Sequence, residues 1–191
     1  MSDFDSVGYK YIPKLFDEVT MRIVSQYFEN KLFREEIKPD PKAAQTRNTV
    51  ISYYADPLVE VLLKQAMDFI SETIGHKLVP TYSFFRVYQP NEELFKHTDR
   101  PACEISVTVN VASLGEPNKI HMKAKGKESS SFALKPGDGV VYKGCEIEHW
   151  REPLNEGQLI VQFMLHYVKE EGDYAHHIFD ERPKLGGASC R

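Results

Sequence analysis

Cysteine is scarce, with Cys103, Cys145 and Cys190 as the only three in 191 residues, far apart and odd in number. That excludes a disulfide framework and a C-x-x-C zinc or redox motif, and it suits a reducing compartment. No uninterrupted apolar run approaches the roughly 18 residues a membrane helix needs. The start, Met1-Ser2-Asp3-Phe4-Asp5, is acidic and polar where a signal peptide is basic and then apolar. A cytoplasmic protein without a membrane partner is therefore expected. Basic charge is short as well: 24 Lys and Arg against 28 Asp and Glu give a net charge of -4. Such a balance offers no broad attraction to phosphate, so nucleic acid is not an expected partner. The one basic cluster, Lys119, Lys123, Lys125 and Lys127, reads as the solvated face of a β-hairpin. Repeats and low-complexity tracts are missing too. What remains is 41% hydrophobic and 27% charged, the make-up of a folded globule of one domain, residues 1–191.

Along the chain, Tyr9, Tyr11 and Ile12 suit a short edge strand before Pro13. From Lys14 onward Leu15, Phe16, Val19, Ile23, Val24, Tyr27 and Phe28 recur at three- and four-residue steps, the period of an amphipathic helix ending before Pro39. Pro39-Asp40-Pro41-Lys42 reads as a turn. Asp56-Pro57 looks like an N-cap followed by proline at the first helical position. Leu58, Val61, Leu62, Gln65, Ala66, Phe69 and Ile70 supply a second helical face, and Gly75 a stop. Past Pro80 the pattern changes to short strands at 82–88, 104–111, 119–123, 131–134, 139–142 and 159–165, separated by Gly, Pro and Asn. The expected fold is mainly β with flanking α-helices: two N-terminal helices within 1–79 covering a sandwich or barrel at 80–168, and a surface tail at 169–191. Lys135-Pro136-Gly137-Asp138-Gly139 is a turn whose glycines supply positive φ.

His97 and Asp99 stand at i and i+2, so on a strand end they project to the same side. A second imidazole would complete the two-histidine, one-carboxylate set that binds Fe(II) on one face and leaves positions open for co-substrate and O₂. With seven histidines in the chain, an H-x-D pair alone carries little weight, and the third ligand decides the matter. His149 follows the strand at 139–142 and stands beside Trp150, an aromatic that could shield a site. The plain alternative is a satisfied core histidine. His121 and His166 lie on expected strands and could take the third place, although His166 reads more simply as the end of a buried strand.

Four segments in order, Pro80–Tyr88, Leu94–Ser106, Pro136–Tyr142 and His149–Pro153, resemble the Fe(II)/2-oxoglutarate-dependent dioxygenases, and within them the prolyl-4-hydroxylase-like branch. The resemblance covers residues 80–168. It implies a double-stranded β-helix, or jelly roll, with the metal at its open end and with His97, Asp99 and His149 as ligands. It implies Fe(II), 2-oxoglutarate and O₂, with ascorbate as a candidate accessory, and hydroxylation of a C–H bond with release of succinate and CO₂. It points to a small-molecule or peptidyl substrate, such as an amino-acid side chain. Tyr88, nine residues before His97, matches the family tyrosine that bonds the distal carboxylate of 2-oxoglutarate. The cation that the family carries about ten residues past its distal histidine is replaced here by Gln158 and Leu159. A buried dianion without a cationic partner is costly, so a substitute is required. Arg86, on the strand face of Tyr88, and Arg151 are the candidates, with Gln158 as a neutral donor and Arg100 ranked lower as a loop partner of Glu104. The missing anchor leaves open a second reading, a non-catalytic jelly-roll module for a small molecule or peptide. A cupin-like metalloenzyme that does not use 2-oxoglutarate would more naturally show two histidines as H-x-H, and Asp99 argues against it.

Overall fold

Side chains on successive strand residues point to opposite faces, and this chain uses both faces of one large sheet: one for helices, the other for a cavity. The computed structural model describes residues 3–37, 39–40, 45–46 and 50–186. In chain order the elements are α1 (Asp3–Val7), β1 (Tyr9–Ile12), α2 (Glu18–Phe33), β2 (Pro39–Asp40), β3 (Val50–Tyr54), α3 (Pro57–Ile74), β4 (Leu78–Tyr88) and β5 (Leu94–His97). There follow a 3₁₀ turn (Pro101–Cys103), β6 (Ile105–Leu114), β7 (Ile120–Lys123), β8 (Ser130–Phe132), β9 (Gly139–Lys143), β10 (Glu148–Arg151), β11 (Leu159–Lys169) and a kinked 3₁₀ segment (Ala175–Glu181). The larger antiparallel sheet runs β1-β9-β6-β11-β4-β3-β2 and the smaller one β5-β10-β7-β8. Both sheets line one cavity, so they face each other as a jelly roll, and no closed barrel forms among the described residues.

The outer face of the larger sheet carries Phe85, Val87, Val107, Val109, Phe163, Leu165 and Tyr167, all buried against α2 and α3. Both helices exist as the periodicity requires, but each is rotated from its expected face. On α2, capped by Asp17 accepting from the Thr20 N–H at 2.7 Å, the buried stripe is Met21, Val24 and Phe28. Val19 and Ile23 are each 54% exposed. Leu15 and Phe16 precede the helix, because the Phe16 N–H donates to the Gly137 carbonyl at 3.1 Å and ties the entry segment to that turn. Gly137 has φ +86°, and a Cβ there would overlap the Phe16 carbonyl oxygen, so glycine is required twice over. On α3, Asp56 caps the N-terminus through the Leu58 N–H and Gly75 closes it in the left-handed region. Its buried stripe is Val59, Leu62, Leu63, Ala66, Ile70 and Ile74, while Val61 and Phe69 face outward.

Three further expectations need correction. The N-terminal part is not purely helical, since β1, β2 and β3 extend both edges of the larger sheet. Pro39–Asp40, expected as a turn, pairs with Val50 and Ile51, and Pro41, Lys42 and Cys190 lie outside the described residues. The tail does not simply lie on the surface. Asp180 accepts from both Arg100 nitrogens at 2.8 and 2.9 Å and from the Tyr54 hydroxyl at 2.5 Å. Arg182 donates to Glu60 at 2.5 Å and to the Thr81 carbonyl at 2.9 Å. Asp180, Arg182 and Glu60 are all buried. A stretch mixing charges reads as solvated until its partners elsewhere in the chain are known. Among the described residues no helix is long and apolar enough to cross a membrane.

Candidate metal centre

Register brings the two imidazoles together. β10 pairs antiparallel with β5 so that His149 lies directly opposite His97, and directly opposed residues on one face are close enough for their side chains to meet. The rings sit 4.2 Å apart between centroids. Asp99 lies beyond the end of β5, where its N–H donates to the Gly144 carbonyl at 2.8 Å. Its Oδ1 is 3.6 Å from Nε2 of His97 and 3.6 Å from Nε2 of His149. The three ligand atoms all lie within 4.8 Å of one another.

The tautomers follow from the hydrogen bonds. His97 Nδ1 is 2.6 Å from the Phe95 carbonyl and His149 Nδ1 is 3.1 Å from the Ile147 carbonyl. A carbonyl oxygen only accepts, so each Nδ1 carries a proton and, in the neutral ring, Nε2 is left with its lone pair, the arrangement that presents imidazole to a metal. Burial pushes the His149 imidazole below its ordinary range, against the pull of Asp99. For Asp99 burial acts to raise the carboxyl, but His97, His149 and His166 whenever those rings are protonated, and the Ser106 hydroxyl, hold it below the usual carboxylate range. The Tyr142 hydroxyl lies 3.4 Å from His149 Nε2 and is kept protonated chiefly by burial and then by Asp99. Gly144 has no room for a side chain, since a Cβ would overlap the Cys103 carbonyl oxygen and come within 2.7 Å of Asp99 Oδ2.

These ligand atoms open onto a cavity of about 210 Å³, larger than the roughly 150 Å³ that admits a benzene-sized ligand. Even-numbered residues of β4 and β11 form its wall: Tyr82, Phe84, Arg86 and Tyr88 from one strand, Gln162, Met164 and His166 from the other. Arg86 donates to the Tyr88 hydroxyl at 3.3 Å and is buried. Arg151, also buried, lies behind this wall, donating to Gln162 Oε1 at 3.0 Å and to the carbonyl and side-chain oxygens of Asn118 at 3.0 and 3.1 Å. Its guanidinium carbon is 5.6 Å from the Tyr88 ring centre. Burial without a carboxylate partner lowers its pKa to about 10. Gln158 is not brought to the cavity. Its amide is consumed by the loop, accepting from the Asn155 N–H and donating to the Glu116 carbonyl, both at 2.6 Å.

Other residues fall differently from expectation. Trp150, one step from His149, points to the opposite face by strand alternation, stacks on His121 at 5.0 Å and donates to Glu152, so it does not shield the triad. Arg100 pairs with Asp180, while Glu104 pairs with Lys169 at 3.4 Å. The sequence carries no signal for Gln162, Ser106 or Gly144, and His166, an alternative third ligand by its strand position, stands instead on the far side of Asp99. His166 forms, with Asp99 and Cys103, a second cluster of ligand-type atoms. There the Ser106 hydroxyl already bridges carboxylate and imidazole, at 2.7 and 2.9 Å.

No protein-family model matches the chain, and no curated protein does. Solved structures match well. A prolyl-4-hydroxylase from Pseudomonas putida superposes with TM-score 0.66 at 15% identity, covering 86% of this chain and 95% of the other. The epimerase SnoN in complex with Fe3+, alpha ketoglutarate and nogalamycin RO gives TM-score 0.72 at 11% identity over 98% and 90%. A 2OG-Fe(II) oxygenase family oxidoreductase from Burkholderia pseudomallei gives 0.65 at 13% over 86% and 87%. At these identities the likeness establishes the fold.

Proposed function

We propose that this protein is an Fe(II)- and 2-oxoglutarate-dependent dioxygenase that hydroxylates a C–H bond, with His97, Asp99 and His149 as the metal ligands. The observation that carries the reading is the convergence of two bare Nε2 lone pairs and one carboxylate oxygen at a cavity wall that also holds Arg86 and Tyr88. The donor set fits the metal: two neutral imidazoles and a carboxylate on one side suit non-haem Fe(II) and leave the cavity side open. The cavity fits the co-substrate, because a dianion needs a cation and hydroxyl donors at its far end, and Arg86 beside Tyr88 supplies both. When bound, iron with 2-oxoglutarate and O₂ supplies the C–H oxidation, with release of succinate and CO₂.

The chain's own residues do the rest. Phe95 and Ile147 carbonyls fix the imidazole tautomers. Arg86 and Tyr88 orient the distal carboxylate of 2-oxoglutarate, and Arg151 supports them from behind through Gln162 and its field at the Tyr88 ring. Tyr82, Phe84 and Met164 give the remaining wall an apolar character that excludes water from the reacting C–H bond. The substrate is a small molecule or a peptidyl side chain. An amino-acid or peptidyl substrate is favoured by likeness to a prolyl-4-hydroxylase and to a "prolyl hydroxylase in complex with hypoxia inducible factor oxygen degradation domain peptide fragment from Trichoplax adhaerens". The test is O₂-dependent succinate release after anaerobic loading with Fe(II) and 2-oxoglutarate. Succinate should form with the native protein and be lost when His97 and Asp99 are both replaced by alanine. Equal release from that variant would move the site elsewhere, and absence of iron binding by the native protein would favour a non-catalytic jelly-roll module.

A further inference from the structure

The Ser106 hydroxyl has one proton and three neighbours able to take it: Asp99 Oδ2 at 2.7 Å, His166 Nδ1 at 2.9 Å and the Cys103 carbonyl at 3.3 Å. Asp99 as a carboxylate has no proton to give, so the shortest of these contacts needs the hydroxyl proton. His166 Nδ1 must then be the donor to the Ser106 oxygen. Ser106 and His166 face each other as cross-strand partners of β6 and β11, with a register shift immediately after His166, the kind of irregularity that re-aims a side chain. The His166 ring is held by Tyr82, at 4.5 Å between centroids, and both are buried. Burial also keeps this imidazole neutral, pushing its pKa down to about 4.

We propose that His166 and Ser106 are positioning residues acting in series: His166 Nδ1–H donates to Ser106, and Ser106 donates to Asp99 Oδ2. Their work is to occupy Oδ2 and so reserve Oδ1, the oxygen 3.6 Å from both ligand histidines, as the single metal-facing atom. Asp99 would then offer a metal one oxygen and not two. The same proton arrangement leaves His166 Nε2 with a bare lone pair on a residue that lines the cavity. The role assigned to Oδ1 rests on the metal reading of His97, Asp99 and His149, but the proton arrangement does not.

Two measurements separate them. Long-range ¹H–¹⁵N spectra of the metal-free protein should show His166 as the neutral Nδ1–H tautomer; the Nε2–H tautomer would overturn the series. Calorimetric binding of Mn(II), a redox-quiet probe, should weaken about 10–100-fold in Ser106→Ala, the usual cost of removing a group that orients a ligand. His166→Leu should weaken it in the same direction. His166→Asn, whose side-chain N–H can stand in for Nδ1–H, should restore most of the affinity. The double variant Ser106→Ala/His166→Leu should bind no more weakly than Ser106→Ala, since groups in series are not additive. Native-like Mn(II) affinity in His166→Leu, or additive losses in the double variant, overturns the proposal. Thermal unfolding of each variant separates lost packing from lost metal affinity. If His166→Leu fails to fold, the tautomer and the asparagine variant still decide. If the native protein binds no Mn(II), the metal reading fails and the tautomer alone judges the hydrogen-bond series.

Discussion

Replacing Gly144 by alanine adds one methyl group at a place where both neighbours are fixed. Gly144 donates its N–H to the Glu104 carbonyl and accepts from the Asp99 N–H, both at 2.8 Å. Its missing Cβ would overlap the Cys103 carbonyl oxygen and stand 2.7 Å from Asp99 Oδ2 and 3.0 Å from Asp99 Cβ. Neither contact is the loose end of a long side chain. The chain from Asp99 to Cys103 must therefore move, and Asp99 moves with it. Overpacking of this kind costs about 1–3 kcal/mol, which for a chain of this size lowers Tm by about 2–4 °C per kcal/mol. Displacing a ligand carboxylate should cost Mn(II) affinity about 10-fold or more, by analogy with the loss of an orienting partner. Calorimetric Mn(II) titration and thermal unfolding of the same samples read both effects. Gly126→Ala is the control: nothing lies within 4 Å of its Cβ, and its φ is +74°. Strain alone there costs roughly 1–2 kcal/mol, and metal affinity should stay at the native value. If Gly144→Ala bound Mn(II) within twofold of native and melted at the native temperature, Gly144 would not set the position of Asp99.

The remaining expectations concern the co-substrate, the tail and pH. Arg86→Ala should raise the KM for 2-oxoglutarate by about 10–100-fold, the worth of a charge-assisted hydrogen bond of roughly 1.5–3 kcal/mol. Arg151→Met should raise it less, because Arg151 acts through Tyr88 and Gln162; equal and native KM values in both variants would remove both from the anchor. Arg182→Ala leaves the buried Glu60 carboxylate without its cationic partner, with only the Gly186 N–H still donating to it, which should cost about 3–5 kcal/mol of stability in denaturant unfolding. An undiminished midpoint would show that the tail does not hold the fold. For pH, burial lowers His166 to about 4 against roughly 6.5 for an unfolded imidazole. As pH falls from 6.5 towards 4 the unfolded chain binds a proton that the folded one refuses. Stability present above pH 6.5 is thus lost across that window, by up to about 3 kcal/mol at 1.36 kcal/mol per unit. Unfolding of metal-free protein between pH 7.5 and 4.5 should show this slope, His149 adding in the same direction, and His166→Asn should flatten it. An equally steep slope in His166→Asn would assign the effect to other groups.

What could be read from the linear chain was local. The Asp56 and Gly75 caps of α3, the Gly137 turn and most of the strands depend on neighbours a few residues away, and the structure has them where the sequence puts them. Alternation along one strand was enough to place Arg86 and Tyr88 on a shared face. The same rule, applied to His149, would have turned Trp150 away from the cavity. Register across strands was not legible. Ser106 meets His166 across 60 residues of chain, Gln162 lies opposite Arg86, and Gly144 approaches Asp99 from the turn after β9. The helix faces are not legible because each helix has apolar residues on more than one side, and only contact with the sheet decides which stripe is covered. The tail is illegible for a related reason: Asp180 and Arg182 are buried only because Arg100, Tyr54 and Glu60 complete them.

Equilibrium binding of 2-oxoglutarate under anaerobic conditions, with and without Fe(II), tests the central claim most directly. One iron per chain should bind, 2-oxoglutarate affinity should rise sharply when it does, and Asp99→Ala should abolish that dependence. A 2-oxoglutarate affinity indifferent to iron, or an iron-dependent one that survives the loss of Asp99, would contradict the account.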